Sequence, residues 1–107
     1  RDRQISQKDR NIMIIVYTKD LCGYCLMAMN HLRKNDIPFQ EENIDHNPSA
    51  REYLKEQGHT TCPQIYNKTE VGRRHDKLLV EGGCNGLLAL SKEEILKRAV
   101  IVTQDIF

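Results

Sequence analysis

Runs of apolar residues, and changes in their spacing, divide the chain into short strands and helices. Residues 12–17, IMIIVY, are apolar and largely β-branched, which predicts a strand buried on both faces, as in a parallel or mixed sheet. Apolar positions then follow helical spacing over residues 25–35, and a second strand is predicted over residues 39–44. Strand, helix and strand in this order predict a βαβ unit, which is usually right-handed.

Capping and turn residues organise the next segment. Asn47 followed by Pro48 predicts a helix start, because an Asn side chain caps the first turn and proline fits its first position. Gly58 predicts the end of that helix. Strands are predicted over residues 64–66 and 77–80, and we expect them to pair as a hairpin across the long, charged connection between them.

The last part of the chain is predicted to be helical, with a partly apolar tail. A short helix is expected over residues 85–90, and the capping box Ser91-Lys-Glu-Glu94 predicts a final helix that extends to about Ala99. Residues 100–107 are β-prone, which fits a tail that packs back, adds a strand or meets a partner chain. The order β-α-β-α-β-β-α-α predicts an α/β domain with a small mixed sheet and helices on its faces.

The composition is that of one soluble domain. The chain has 107 residues, of which 39% are hydrophobic and 29% charged, with a net charge of +1. Residues 1–11 are polar and mixed in charge, so we expect a flexible arm or a weak first helix, followed by a single domain over residues 12–107. Because the charge is almost balanced and the longest apolar run is too short to span a bilayer, we expect neither nucleic acid nor a membrane as a partner.

Four cysteines are the first chemical signal. Small secreted domains use disulfides to compensate for a weak core, but this chain has strong hydrophobic segments. We therefore expect active thiols in a reducing compartment, the cytoplasm. Cys22 and Cys25 form a Cys-x-x-C motif, which can hold a metal, form a structural staple or shuttle electrons.

The position of the motif between a strand and a helix favours electron transfer. The attacking species in disulfide exchange is a thiolate, and the N-terminus of a helix favours negative charge. Cys22 falls just before the predicted helix and Cys25 in its first turn, so Cys22 is predicted to be the exposed nucleophile and Cys25 the shielded resolving thiol. Lys19 is expected to add positive charge near the Cys22 sulfur.

Two other interpretations of the motif are weaker. A structural zinc site needs two more ligands, and Cys62 and Cys84 form no second Cys-x-x-C. An inert disulfide between Cys22 and Cys25 would close so short a loop that it would constrain the unfolded chain little.

Two further segments complete a predicted pocket. Pro63, in the segment Thr60-Thr-Cys-Pro63, precedes a strand downstream of the βαβ unit, which suggests a cis-proline beside the active sulfur rather than an ordinary trans-proline. Gly82 and Gly83 permit close approach of the backbone to a ligand, and the helix that follows them can bind a carboxylate.

These three motifs, in this order, resemble those of the glutaredoxin family. The segment Tyr17-Thr-Lys-Asp-Leu-Cys-Gly-Tyr-Cys25 resembles the family's active-site segment, and Thr61-Cys-Pro63 resembles its Thr-Val-Pro. Gly82-Gly-Cys-Asn85 resembles its Gly-Gly-Cys-Asp. The resemblance extends from Ile12 to about Arg98, and it implies a thioredoxin-like fold, with a mixed four-stranded sheet flanked by helices.

The resemblance also implies an activity. It implies a thiol–disulfide oxidoreductase that uses glutathione to reduce protein disulfides and protein–glutathione mixed disulfides, with Cys22 as nucleophile and Cys25 as resolving thiol. Its implied partners are glutathione and disulfide-bearing or glutathionylated proteins, ribonucleotide reductase being one example.

The glutathione site is likewise implied by the resemblance. Its residues would be Lys19, Tyr24, Arg51, Thr61, Cys62, Pro63, Gly83, Cys84 and Asn85. Lys19 would neutralise the thiolate and a glutathione carboxylate, and Arg51 falls where the family often has a polar or basic residue for the glycine carboxylate. Backbone groups of Cys62 would bind the cysteine moiety, and Cys84 with Asn85 would bind the γ-glutamyl end.

Some positions depart from the family's commonest pattern. Gly23 stands where proline is usual, and members with Gly or Ser there include ones that bind a [2Fe–2S] cluster between two protomers, with glutathione as a further ligand. The second hypothesis is therefore a dimeric iron–sulfur protein that uses Cys22 as a ligand, whereas the oxidoreductase would be a monomer. Asn85 replaces an Asp, which removes a negative partner of the glutathione ammonium. Cys62 replaces a Val, as a third thiol or as a small buried hydrophobe.

Overall fold

The computed structural model describes residues 14–68 and 76–104. It contains eight elements within those ranges, in the predicted order. They are β1 (Ile14–Thr18), α1 (Gly23–Lys34), β2 (Gln40–Asn43), α2 (Pro48–Glu56), β3 (Gln64–Asn67), β4 (Lys77–Leu78), α3 (Gly83–Leu88) and α4 (Lys92–Gln104). The predicted arm 1–11, the start of the first strand, most of the hairpin connection and the last three residues lie outside the described residues.

The four strands form one mixed sheet in the order β2-β1-β3-β4. Strand β1 is parallel to β2 and antiparallel to β3, so Val16 lies opposite Glu41 on one side and Ile65 on the other. Strands β3 and β4 pair antiparallel, which confirms the predicted hairpin. The mixed four-stranded sheet with helices is the thioredoxin-like arrangement expected from the resemblance.

Strand β1 is buried along its whole length, as its apolar run predicts. Successive side chains point to opposite faces, so Ile14 and Val16 join one hydrophobic core, whereas Ile15 and Tyr17 join a second core. The first core contains buried residues of α1, α3 and α4, and the second contains those of α2. Each fully buried aliphatic side chain contributes about 1.5–3 kcal/mol relative to exposure. Strand β1 is thus held on both faces, and the loop after it starts from a rigid edge.

Two predicted helix starts, at Asn47 and at Ser91, are confirmed in detail. The side chain of Asn47 caps α2 by accepting the backbone N–H of Ala50 at 3.2 Å, with Pro48 at the first helical position. In the capping box, Glu94 N–H donates to Ser91 Oγ at 3.2 Å and Ser91 N–H donates to Glu94 Oε1 at 2.9 Å.

Three predicted elements have wrong boundaries. The short helix predicted over residues 85–90 is α3, which begins at Gly83 and ends at Leu88, because Gly82 is its N-cap. The strand predicted over 77–80 ends at Leu78, because Leu79 and Val80 turn into the first core, where both are buried. Helix α4 continues to Gln104, so the backbone of residues 100–104 is helical although the sequence there is β-prone. A capped helix adds one hydrogen bond for each further residue, and that gain outweighs a weak local preference for strand. No helix among the described residues is long and apolar enough to cross a membrane.

Candidate active site

Cys22 is the N-cap of α1, directly after the loop that follows β1. Its backbone is extended, at φ −117° and ψ 103°, and its sulfur accepts the backbone N–H of Cys25 at 3.3 Å. The first N–H groups of a helix lack partners within the helix and carry its positive pole, so this position favours negative charge on the Cys22 sulfur. Cys22 is half-buried, and a disulfide substrate can reach it.

Cys25 is the shielded partner, as predicted. It is buried in the first turn of α1, and its sulfur lies next to the Cys22 sulfur, 2.6 Å away. Both thiols are free, and they are close enough to be joined by a small movement. Burial raises the pKa of Cys25 to about 12, and the hydrogen bond to Cys22 and the charge of the Cys22 sulfur act in the same direction. Cys25 is therefore held in the thiol form.

The segment before β3 forms the second wall of the site. The Cys62–Pro63 peptide bond is cis, which confirms the prediction for Pro63. The carbonyl oxygen of Cys62 lies 3.8 Å from the Cys22 sulfur. Main-chain polar groups of this segment therefore lie beside the redox pair, where they can bind the backbone of a substrate's cysteine.

The start of α3 packs against Pro63. Gly82 is the N-cap of α3 with φ +90°, and Gly83 follows with φ +57°. A side chain at Gly83 would place its Cβ atom 2.7 Å from the Pro63 carbonyl oxygen. Only glycine allows this contact, so Gly83 brings the third predicted segment to the site.

A pocket of about 340 Å³ opens next to Cys62. It brings together four of the predicted glutathione residues, namely Lys19, Arg51, Thr61 and Cys62. Arg51 pairs with Asp45, with 2.6 Å between Nη2 and Oδ1. Lys19, Arg51 and Lys55 outnumber Asp45 in the pocket wall, so the pocket suits a carboxylate.

The Cys62 side chain is half-buried in this wall. Burial raises its pKa and the Cys22 charge adds to that effect, whereas Lys19 and Arg51 act in the opposite direction. Lys19 therefore acts on the Cys62 thiol. Its predicted effect on the Cys22 sulfur stays a prediction.

The other predicted residues do not line this pocket. Tyr24 is 61% exposed on α1. Gly83 and Cys84 are buried at the start of α3, and Asn85 is exposed beside them. Burial raises the pKa of Cys84, and the charge of Cys22 raises it further, so Cys84 lies within electrostatic range of Cys22.

The sequence analysis missed Asp45, Lys55 and His59, which also line the pocket. No sequence motif marks Asp45 or Lys55 as a site residue, although both are charged residues within six positions of Arg51. His59 directly precedes the predicted site segment Thr60–Pro63, and this position is the signal that could have identified it as a pocket residue. Its ring is half-buried, and its Nε2 lies 2.7 Å from the hydroxyl of Tyr66. Burial lowers the pKa of His59, so the ring tends to be neutral.

Within the described ranges, 14–68 and 76–104, no three His, Cys, Asp or Glu side chains form a group that could hold a metal ion.

The described site has a half-buried cysteine at a helix N-terminus, a buried thiol partner and a cis-proline segment beside them, all on a thioredoxin-like sheet. These features define a thiol–disulfide oxidoreductase. A search of family models matches the family described as Glutaredoxin to residues 14–71. The chain belongs to the glutaredoxin family.

Individual relatives agree with this assignment. The chain is 40% identical over 76 residues to glutaredoxin 3 of Escherichia coli K12, an alignment that covers 70% of this chain and 81% of the relative. It is 35% identical over 80 residues to a glutaredoxin of Pseudomonas aeruginosa, covering 74% of this chain and 84% of the relative. The solution structure of a glutaredoxin from Brucella melitensis superposes with a TM-score of 0.56 at 30% identity, covering 83% and 88% of the two chains.

Proposed function

We propose that the protein uses glutathione to reduce protein disulfides and protein–glutathione mixed disulfides. The observation that carries this proposal is the cationic pocket that Lys19 and Arg51 line together with Cys62. The carbonyl oxygen of Cys62 lies 3.8 Å from the Cys22 sulfur. Glutathione is a tripeptide with a central thiol and a carboxylate at each end. A cationic pocket at a short distance from a nucleophilic sulfur fits that arrangement.

The proposed site places each part of glutathione against a different segment. Lys19 and Arg51 bind the glycine carboxylate, with Thr61 at the pocket edge. Backbone groups of Cys62, beside Pro63, bind the cysteine moiety. The start of α3 with Gly83, Cys84 and Asn85 receives the γ-glutamyl end, and Tyr24 lines the groove.

Deglutathionylation then needs only Cys22. Its thiolate attacks the glutathione sulfur of the mixed disulfide, a new Cys22–glutathione disulfide forms, and the protein thiolate leaves. A second glutathione thiolate attacks the glutathione sulfur bound to Cys22. This step releases oxidised glutathione and restores the Cys22 thiolate.

Reduction of a protein disulfide needs Cys25 as well. Cys22 attacks one sulfur, the other sulfur leaves as a thiolate, and Cys25 then attacks Cys22 to release the second protein thiolate. Once Cys22 is in a disulfide, its charge no longer raises the pKa of Cys25. The resolving thiol is therefore easier to deprotonate at the step that needs it. Two glutathione molecules reduce the resulting Cys22–Cys25 disulfide.

A steady-state assay coupled to glutathione reductase tests this proposal, with a glutathionylated peptide and a protein disulfide as alternative substrates. Cys22→Ser should abolish turnover of both substrates. Cys25→Ser should retain turnover of the glutathionylated peptide and lose most turnover of the protein disulfide. Full activity of Cys22→Ser, or equal losses on both substrates in Cys25→Ser, would contradict the assigned roles. If thioredoxin reductase supports reduction of the protein disulfide and glutathione does not, glutathione is not the reductant.

The second candidate function is binding of a [2Fe–2S] cluster shared by two protomers. The observation in its favour is the open surface beside the Cys22 ligand, since a Cβ atom at Gly23 would meet no atom within 4 Å. Each chain would contribute one cysteine thiolate, and glutathione would supply the other ligands. Anaerobic reconstitution with iron, sulfide and glutathione should give a coloured dimer in the wild type and not in Cys22→Ser. A colourless monomer from the wild type would count against this function.

A further inference from the structure

Leu21, directly before the nucleophile, is the most exposed large apolar residue among the described ones. Its side chain is 104% exposed, more than in an extended reference peptide. Its backbone has φ +55°, a left-handed conformation that costs a branched, apolar residue energy. Among residues 14–68 and 76–104, no contact of the Leu21 side chain offsets the exposure or the conformation.

The helix start shows why this exposure is unusual. Since Cys22 is the N-cap, Leu21 occupies the position before the cap and Leu26 the fourth helical position. Apolar residues at these two positions commonly pack on each other as a hydrophobic staple. Here Leu26 is 57% exposed and Leu21 fully exposed, so the staple is not formed. Two open apolar side chains thus lie along the chain on either side of Cys22.

The loop that carries Leu21 is held in place by polar contacts of its neighbour. Asp20 N–H donates to Asp45 Oδ2 at 2.8 Å, and Asp20 Oδ1 accepts Asn43 Nδ2–H at 3.0 Å. The same carboxylate oxygen lies 3.2 Å from His46 Nε2. The left-handed turn at Leu21 therefore follows an anchored residue.

We propose that Leu21, with Leu26, determines substrate specificity by contacting an apolar side chain next to the cysteine of a polypeptide substrate. A substrate sulfur must come within bonding distance of the Cys22 sulfur, so the residues flanking the substrate cysteine pass close to the residues flanking Cys22. Leu21 does not line the cationic pocket assigned to glutathione. Its surface is therefore left for the polypeptide, which is where an apolar contact gains free energy by burial.

This inference extends the oxidoreductase activity and does not depend on glutathione as the reductant. The covalent step is the exchange at Cys22 described above, with one disulfide bond broken, one formed and one substrate thiolate released. The inference concerns only which polypeptides reach that step fastest.

A single-turnover experiment without glutathione separates the two proposals. The pre-reduced full chain is mixed with either of two peptides that contain the same disulfide, one with Leu and one with Asn beside the attacked cysteine. The readout is the ratio of the two second-order rate constants, because a change in the reactivity of Cys22 acts on both peptides alike. For one apolar contact between two leucine side chains, we expect the wild type to react roughly tenfold faster with the Leu peptide than with the Asn peptide.

Three variants test whether this ratio of rate constants depends on the Leu21 side chain. Leu21→Asn, whose new side chain tolerates a left-handed backbone, should reduce the ratio to about one. Leu21→Met keeps an apolar side chain and should retain the preference. Leu88→Asn changes another exposed leucine, on α3, and should leave the ratio at the wild-type value. A wild-type ratio near one, equal ratios in Leu21→Asn and the wild type, or loss of the ratio in Leu88→Asn would each overturn the assignment.

Discussion

The α-carbon of Gly83 faces the carbonyl oxygen of Pro63 so closely that a Cβ atom there would lie 2.7 Å from that oxygen. Real Cβ atoms essentially never come so close to a carbonyl oxygen. This contact joins α3 to the cis-proline segment, and the same segment carries the carbonyl oxygen beside Cys22. The geometry of the redox site therefore depends on a glycine 61 positions away from Cys22 in the sequence.

Gly83→Ala should destabilise the protein. The added methyl group must move α3 away from Pro63, and alanine at φ +57° is strained as well, so we expect a loss of about 1–3 kcal/mol in the free energy of unfolding. Urea denaturation followed by circular dichroism measures this change. Gly23→Ala is the matched control, since its Cβ atom meets no atom within 4 Å and alanine favours the helix. Equal stability of the two variants would show that the Gly83 contact is not tight.

The four thiols should differ sharply in reactivity. Cys25, with a pKa near 12, should be almost entirely protonated at pH 7, and so should the half-buried Cys62 and the buried Cys84, whose pKa values are also raised. Because the thiolate is the nucleophile, iodoacetamide should alkylate Cys22 first. Intact-mass measurement over time should show one fast label, located on Cys22 by peptide mapping and absent from Cys22→Ser. Labelling of Cys62 at the rate of Cys22 would contradict this order.

Arg51 and Asp45 should have opposite effects on glutathione use. Arg51→Gln removes a cation from the pocket and should raise the KM for glutathione roughly tenfold, as expected for loss of one charge-assisted hydrogen bond. Asp45→Asn removes the anion that pairs with Arg51, and should lower that KM a few-fold. The new amide can still accept the backbone N–H of Asp20 through its oxygen. Both effects should shrink at high salt, and a KM unchanged in both variants would exclude the pocket as the carboxylate site.

His59 should make stability depend on pH. Burial lowers the pKa of the folded-state ring below the unfolded value, which is about 6.5, so the unfolded chain binds a proton more readily. The free energy of unfolding should therefore fall as the pH drops through about 6.5, and this contribution should level off below the folded-state pKa. His59→Gln should reduce the slope between about pH 7.5 and 5.5 in urea denaturation. An unchanged slope in that variant would assign the pH dependence to another group.

Much of the fold could be predicted because its signals are local. The burial of β1, the caps at Asn47 and Ser91, and the order of all eight elements rest on residues within a few positions of one another. Two boundaries that failed have different causes, one distant and one local. Leu79 leaves the strand pattern because it fits a core built from α1, α3 and α4. Residues 100–104 are helical because a helix that starts at a strong cap continues into them.

The candidate site divides in the same way. Local sequence specifies that Cys22 caps a helix and that Cys25 is one turn inside it, since a spacing of three residues at a helix start leaves little choice. Packing between distant segments is what brings the Cys62 carbonyl oxygen against Cys22 and groups Asp45, Lys55 and His59 with Arg51 around one pocket. Those distances depend on the order of strands in the sheet and on the close packing of α3 at Gly83. Local patterns specify the elements, whereas the contacts between distant segments follow from how those elements bury their apolar faces together.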